Sequence, residues 1–584
     1  QDVNRTINDL QLNLTPVKGL GIDWIVGIDA FNQVGRGLIR PYPYQAQAGL
    51  PPERYPNGFT SHASNTQLQF NTDLNITYER QLTNDLKLNL IGGTSYQFLK
   101  SDFIRTSGEN LAPFIETING AASTTVTSGF GIDRFYLFGY FGQATVGYKN
   151  YAFLTAAVRQ DESSKFSENE RRQTYPKVSG SFVPSDMDWF KNAVNSNILS
   201  SVKLRASWGQ AGNLLGIGSF DRFWQFNPTP FLGRNTIVPS SQLANPSVRP
   251  ERMEELEFGG DFTFWQNKIN LGVTVYNQQI KDLVVNRNIA SSQGGLSIVT
   301  NVGQMENRGV EVVLGVTPVR TNNFSWDVTF IYNRNRNKVT RLGTPTIGFS
   351  NSAGAPSFLV EGQPASVFYG TAYARNPDGS LLLTPAPPGF LGGFPQQERG
   401  TQVPTSPLEF SANRDANGQP TGGVIRSIIG DPNPDFTGSI MNTLNYKNLS
   451  FNFLFDFVQG VEVFNADKRT RQNVGVGENV EKEMTGELPR GYTFAVLPIE
   501  EWRVDDGSFV KLREVGLTYS FLKPIKGINT INLGLFGRNL ISWDNYNGYD
   551  PETNAGGNSD LVRGIDFGNV PIPRTYKLQL TVTF

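Results

Sequence analysis

Arg574-Thr-Tyr-Lys-Leu-Gln-Leu-Thr-Val-Thr-Phe584 alternates strictly and stops on an aromatic ring. Tyr576, Leu578, Leu580, Val582 and Phe584 fall on one face of a strand, and Thr575, Lys577, Gln579, Thr581 and Thr583 on the other. A half-apolar strand in last position is expected to close a sheet on itself. The segment 574–584 therefore reads as the barrel-closing strand of an outer-membrane β-barrel.

The same period recurs upstream. Leu68, Phe70, Leu74, Ile76 and Tyr78 alternate with polar residues, as do Tyr136, Phe138, Tyr140, Ala144, Val146 and Tyr148. Ile269 to Val275, Phe324 to Tyr332 and Leu449 to Phe457 repeat it. Soluble sandwiches also alternate, so the connections decide more. Tight turns, such as Gln81–Asp85, Lys149–Asn150, Gln266–Asn267 and Lys447–Asn448, take turns with long loops at roughly 32–65, 100–134, 211–250, 338–433, 460–508 and 541–573. Short turns on one side and long loops on the other characterise outer-membrane barrels.

Composition agrees. The 584 residues exceed a normal single soluble domain, and Gly 60, Phe 41, Tyr 20 and Cys 0 suit a sheet-rich chain without disulfides or thiolate metal sites. A net charge of −1 gives no electrostatic reason to expect nucleic acid. No apolar run is long enough for a membrane-spanning helix, and this does not exclude a barrel, whose strands carry only a two-residue signal.

The fold class expected is all-β, a transmembrane antiparallel barrel with seventeen strands in this sequence. Single-chain bacterial barrels have even strand numbers. Counting the first strand here as the sixth makes the last the twenty-second, the number associated with plugged transporters. On that reading residues 1–584 are the C-terminal part of one barrel, with the first strands and an N-terminal plug missing. The span 338–433 is too long to be structureless and is expected to form a large extracellular lobe. Its Ser366–Tyr373 run reads as an extra strand, and its Pro/Gly-rich stretch 385–395 as a packed turn-rich element.

Several segments carry a family resemblance. They include Lys203-Leu-Arg-Ala-Ser-Trp-Gly-Gln-Ala-Gly-Asn213, Asn245-Pro-Ser-Val-Arg-Pro-Glu251, Glu306-Asn-Arg-Gly-Val-Glu311, Gly430-Asp-Pro-Asn-Pro-Asp-Phe436, Leu512-Arg-Glu-Val-Gly-Leu-Thr-Tyr519 and Tyr546-Asn-Gly-Tyr-Asp-Pro-Glu552. In this order they resemble the SusC/RagA-type TonB-dependent outer-membrane transporters of the Bacteroidetes lineage. The resemblance implies a plugged barrel in the bacterial outer membrane, energised by TonB through an N-terminal segment and covered by a SusD-like surface lipoprotein. Neither the plug nor the TonB-contacting segment is found in these residues, so TonB contact is expected through the missing N-terminal part.

The two faces of each strand constrain the cargo. Phe451, Phe453 and Phe455 are expected to meet outer-membrane lipid, and Asn452 and Asp456 to line a wet lumen. A lumen of Asn, Gln, Thr and Gly offers many hydrogen-bond donors and acceptors but no strong single-sign field, which suits a neutral polar solute such as an oligosaccharide, or a short peptide. Candidate substrate contacts are Trp224, Phe226, Tyr369, Trp543, Tyr546 and Tyr549, whose rings could stack on sugar faces or peptide side chains. The motif around Tyr546–Glu552 leans toward a structural role in its loop. Trp189 and Trp265, beside turns, read as interfacial anchors.

Catalytic and metal patterns are weak. Asp431, Asn433 and Asp435 have calcium-loop spacing but lack the central Gly and the acid at position twelve. Ser508-Phe-Val-Lys511 matches an acyl-serine pattern without its companions. The only histidine, His62, is expected in a polar loop with no nucleophile beside it. No enzyme, metal or cofactor is expected. The leading function is TonB-dependent import of a polar nutrient as the barrel subunit of a SusC/SusD-like complex. The alternative is a barrel that anchors a surface or secretion assembly.

Overall fold

The computed structural model describes residues 2–41, 55, 57–214, 216–232, 234–349, 353–381, 383–385, 402–404, 426–489, 491–557 and 562–584. Seventeen long strands match the alternating segments one for one. They are β1 (Asp2–Val17), β2 (Leu20–Ile39), β3 (Phe59–Gln81), β4 (Leu86–Glu109), β5 (Thr127–Tyr148), β6 (Ala152–Ser163), β7 (Arg172–Phe182), β8 (Leu199–Asn213), β9 (Glu251–Phe264), β10 (Ile269–Asn288), β11 (Ser297–Arg320), β12 (Phe324–Arg341), β13 (Phe436–Tyr446), β14 (Leu449–Gln459), β15 (Phe509–Ile525), β16 (Ile528–Asp544) and β17 (Thr575–Thr583). The chain divides into two compact units. The first is Gln1–Ser181, Ser207–Glu254 and Asp282–Asn301; the second is Phe182–Ala206, Glu255–Lys281 and Val302–Phe584.

In the first unit β1 to β6 pair antiparallel, each with the next. The register sets Leu12 opposite Trp24 and Trp24 opposite Leu74, then Leu14 opposite Ile22 and Ile22 opposite Ile76. Cross-strand partners share a face, so these rows form an apolar band. Leu12, Trp24 and Ile76 are nevertheless 43%, 42% and 45% exposed. A contiguous exposed band of this kind would be a liability in water and is satisfied by hydrocarbon. The opposite face carries Asn13, Asp23 and Asn75, which are aligned with one another. Gly19 turns β1 into β2 at φ +85, and its carbonyl accepts the Glu79 N–H at 2.7 Å. A Cβ there would lie 2.3 Å from the Glu79 oxygen, so only glycine fits without moving the turn.

Strand length departs from the sequence reading. β3 and β4 run for 23 and 24 residues. At about 3.3 Å per residue that is roughly 75–80 Å, whereas about 9–11 residues cross a bilayer. About half of each expected loop, 32–65 and 100–134, is ladder instead: β2 and β3 stay paired to Ile39 opposite Phe59, and β4 and β5 to Ser107 opposite Thr127. His62 lies in β3 opposite Arg36 and Thr106, not in a loop. Backbone pairing continues there although the apolar residues, such as the neighbours Leu38 and Ile39 or Phe103 and Ile104, no longer keep to one face. Loop residues Phe166, Ile217 and Val248 of this unit bury a cluster with Val284 of β10 and Val299 of β11, with Leu214 against it.

In the second unit β11 to β17 pair antiparallel in chain order. Phe451, Phe453 and Phe455 follow one another on one face, with ring centroids 5.6 and 5.9 Å apart. On β17, Leu578 faces Leu535 and Leu580 faces Leu533 of β16. The turn Trp265-Gln266-Asn267 is left-handed at all three residues, and the Trp265 N–H donates to Ile198 at 2.9 Å. Trp189 lies on the short helix α1 (Asp188–Ala193), its ring edge-on to Phe190.

The loops of this unit fold. Thr346–Gly348, Ser357–Val360, Val367–Thr371 and Arg426–Gly430 form a four-stranded sheet. The strand expected within 366–373 is therefore Val367–Thr371. The stretch 385–395 lies, beyond Pro385, outside the described residues. Segment 460–508 supplies helices α2 (Ala466–Asn473), α3 (Glu478–Thr485) and α4 (Tyr492–Val496). Phe368, Phe464 and Ile565, from three separate loops, are fully buried together with Ala355 and Ala466. Burying two phenylalanines and an isoleucine contributes about 1.5–3 kcal/mol per side chain, enough to hold these loops as one lobe.

Candidate functional site

A β-bulge organises the base of the lobe. The β14–β15 register steps from Phe455 opposite Leu512 to Leu454 opposite Glu514, leaving Arg513 out of the ladder. Bulges re-aim a side chain. Here Arg513 Nε donates to Asp456 at 2.9 Å, and its Nη1 donates to Glu552 at 2.6 Å. Two residues earlier Lys511 Nζ, with the side chain 6% exposed, donates to Asp550 at 2.6 Å and Glu552 at 2.7 Å. Burial works to raise the Asp550 carboxyl, but the Lys511 bond holds it below the usual range. For Glu552 burial is likewise opposed, and outweighed, by Arg513 and Lys511. The last loop is thereby fixed to the wall by a buried network of charges. Close by, Tyr546 is 8% exposed and its hydroxyl donates to Asp566 at 2.7 Å. Burial pushes that hydroxyl upward, and the Asp566 bond adds to the shift.

Beside this network, loops 338–433, 460–508 and 541–573 enclose a cavity of about 330 Å³. Tyr373, Tyr492 and Trp502 supply rings, Lys468 and Arg471 cations, and Gln472, Asn479 and Asn547 amides. Lys468 is ion-paired with Asp505, and Glu478 with Lys482 at 2.6 Å. Gln472 Nε2 donates to the Thr493 carbonyl at 2.6 Å while its Oε1 accepts from Asn479 at 2.9 Å, which fixes α2 against α3 and α4. Burial raises the Tyr373 hydroxyl, and its Tyr492 neighbour raises it further.

The aromatic residues singled out from the sequence are dispersed. Trp224 and Phe226 are exposed neighbours in the first unit, with centroids 6.4 Å apart. Tyr369 is half-buried in the strand Val367–Thr371, its ring edge-on to Phe358. Trp543 pairs with Val510, which pairs in turn with Phe457, so Trp543 stands on the apolar face, 6.1 Å from the Phe455 ring. Tyr546 is buried against Asp566, while Tyr549 is 75% exposed. None of the six lines the cavity. The lining residues went unnoticed because Trp502 is flanked by charges in Glu500-Glu501-Trp502-Arg503, with no period to mark its face.

The chemical patterns resolve structurally. Ser508 Oγ accepts the Gly460 N–H at 3.0 Å while Lys511 is held by two carboxylates, so Ser508–Lys511 forms no acyl-transfer pair. Asn433 Nδ2 donates to Asp431 at 2.7 Å and Asp435 pairs with Arg336, which spends the calcium-like spacing on a turn. Among the described residues no group of three or more His, Cys, Asp or Glu side chains is placed to hold a metal.

Long antiparallel strands in each unit, with one face apolar and exposed and the other polar, and with folded loops between their hairpins, define the class of multi-pass outer-membrane β-barrels. The family described as TonB dependent receptor-like, beta-barrel matches residues 1–393, and the chain belongs to it. TonB-dependent receptor P26 of Formosa agariphila is 27% identical over 88% of this chain and 53% of its own length. TonB-dependent receptor SusC of Bacteroides thetaiotaomicron is 23% identical over 89% of this chain and 50% of its own. The chain spans about half the length of the curated relatives it matches. In fold it is similar to the RagAB peptide transporter structure, at a TM-score of 0.78 and 19% identity, covering 100% of this chain and 62% of that one. By name these relatives are TonB-dependent receptors and a peptide transporter.

Proposed function

We propose that this chain is the barrel part of a TonB-dependent importer that carries a polar nutrient, an oligosaccharide or oligopeptide, across the outer membrane. The observation that carries this reading is the family match over a wall whose one face is apolar and exposed while the other holds Asn, Asp and ion-paired charges. The folded lobe of loops 338–433, 460–508 and 541–573 supports it, since a packed, polar-lined surface is what a substrate and a lid lipoprotein of the SusD type would meet. The plug and the TonB-contacting segment are expected in the half of the relatives' length that this chain does not span.

The test is growth of the source bacterium with the complete gene deleted, on defined oligosaccharides and oligopeptides as sole carbon source. An importer gives loss of growth on one nutrient class, reproduced by removing TonB and accompanied by co-purification of a surface lipoprotein. Unchanged growth on every class, with loss of a surface assembly instead, would favour the anchoring role.

A further inference from the structure

One face of β12 changes character partway along. Phe324, Trp326, Val328, Phe330 and Tyr332 are followed on the same face by Arg334, Arg336 and Lys338. The register with β11 has no slip there: Val316, Leu314, Val312 and Val310 stand opposite Val328, Phe330, Tyr332 and Arg334, then Arg308 opposite Arg336 and Glu306 opposite Lys338. This is the apolar face of the wall, because the row through Trp326 continues as Leu444, Phe451, Leu517, Leu535 and Leu578. The eight steps from Phe324 to Tyr332 cover about 26 Å along a tilted strand, most of a hydrocarbon-facing band about 25 Å tall. The cations therefore stand just beyond that band. They lie at the long-loop end of the hairpin, since β11 and β12 join at the other end through the three residues 321–323. In an outer-membrane barrel that end is the outside.

We propose that this patch binds the phosphate of an outer-leaflet glycolipid. Arg308, Arg334, Arg336 and Lys338 are all exposed, and Glu306 is the one carboxylate among them on these two strands. Arg308 pairs with Glu306 at 2.7 Å and Arg336 with Asp435, whereas Arg334 and Lys338 make no ion pair or side-chain hydrogen bond among the described residues. Two positive charges are thus left over next to the lipid-facing rows. Arg308 and Arg336 also stand directly opposite each other, and like charges so placed are destabilising until an anion lies between them. Arg334 follows Tyr332 and faces Val310, so its stem lies along apolar surface while its guanidinium reaches the headgroups, where it matches a phosphate bidentately. The first unit repeats the device on its own exposed apolar face: Phe98 opposite Tyr136 is followed by Lys100 opposite Arg134. Lys100 pairs there with Asp102 at 2.7 Å, and Arg134 is left without an ion pair among the described residues. Water would accept these cations too. Lipid is singled out by their place, in line with hydrocarbon-facing side chains and with cations outnumbering carboxylates at the depth of the outer headgroups. The inference rests on the outer-membrane class, not on import.

The test uses the complete protein, purified from the outer membrane and stripped of lipid in detergent. It is titrated with bisphosphorylated lipid A and with the same lipid after enzymatic dephosphorylation, and bound lipid is counted by native mass spectrometry. The phosphorylated lipid should bind at least about tenfold more tightly. The double variant Arg334→Gln/Lys338→Gln should remove most of that difference, and Arg334→Lys should keep most of it. Lys523→Gln/Lys526→Gln, which takes the same charge from the short-turn end of β15, should leave it unchanged. Inorganic phosphate should displace the lipid no better than sodium chloride of equal ionic strength. Each variant is first matched to the parent in heat-modifiable gel migration, and the comparison of the two lipids on the parent needs no variant at all. The proposal is overturned if the two lipids bind alike, if Arg334→Gln/Lys338→Gln leaves the affinity unchanged, or if the short-turn variant lowers it equally. Displacement by inorganic phosphate beyond the salt control would also overturn it, by assigning the cations to a free anion. Because binding is read without nutrient or TonB, such a failure leaves the growth test of import untouched.

Discussion

Lys511 Nζ lies 2.6 Å from Asp550 Oδ1, a buried ion pair that joins the wall strand β15 to the last loop. Removing one partner of a buried pair costs about 3–5 kcal/mol, because the other charge is left uncompensated. Lys511→Met is therefore expected to release the 546–557 segment. Hydrogen exchange there should rise by orders of magnitude while β3 and β4 stay protected; equal protection in parent and variant would refute the role.

The same lock has a pH limit. Asp550 and Glu552 have carboxyls depressed below their ordinary range by Lys511 and Arg513. A carboxyl depressed on folding binds fewer protons than in the unfolded chain. Its contribution is complete above the ordinary carboxylate pKa of about 4 and is lost as pH falls through the lowered value. Protease sensitivity of the last loop should thus be flat from about pH 8 to 5 and rise only below about pH 4. A transition near pH 6 would point to another group.

The apolar band predicts an asymmetry between adjacent residues. Leu12 faces Trp24 on the exposed apolar face and Asn13 faces Asp23 on the other. Leu12→Arg is expected to cost up to about 2–4 kcal/mol of folding into lipid, less if the site lies near an interface. Asn13→Arg should cost much less. Equilibrium refolding into vesicles of both variants measures the difference, and equal costs would mean that the faces are assigned wrongly.

The lobe core gives a third kind of outcome. Phe464 is fully buried between Phe368 and Ile565. Truncating a buried Phe to Ala costs about 3–5 kcal/mol. Because this core belongs to loops, Phe464→Ala should expose 460–508 and 541–573 to protease together while heat-modifiable migration of the wall is retained. Cleavage confined to 460–508 would show that the loops do not share stability.

The wall was readable because its signal is local. A residue and its second neighbour report the same face, so Leu449, Phe451, Phe453, Phe455 and Phe457 declare their strand from nine consecutive residues. Strand ends were not, since the last eight residues of β2 hold only Val34, Leu38 and Ile39 as apolar side chains, and the neighbours Leu38 and Ile39 fall on opposite faces and break the alternation. The site was least legible. Tyr373, Arg471 and Trp502 come from segments far apart in the chain, and only the burial of Phe368, Phe464 and Ile565 together brings those segments to one place. Tyr546 was the exception, because the motif around it already hinted at a loop that holds itself in shape.

That shared core has a consequence for how such a receptor can change its diet. Loops stitched through Phe368, Phe464 and Ile565 cannot be exchanged singly, since each donor loop would arrive with half of an interlock cut for different neighbours. A chimera that transplants 342–433, 460–508 and 541–573 as a block should keep its shape, and inheritance of new specificity should follow the same unit, in one step across three distant stretches of the gene.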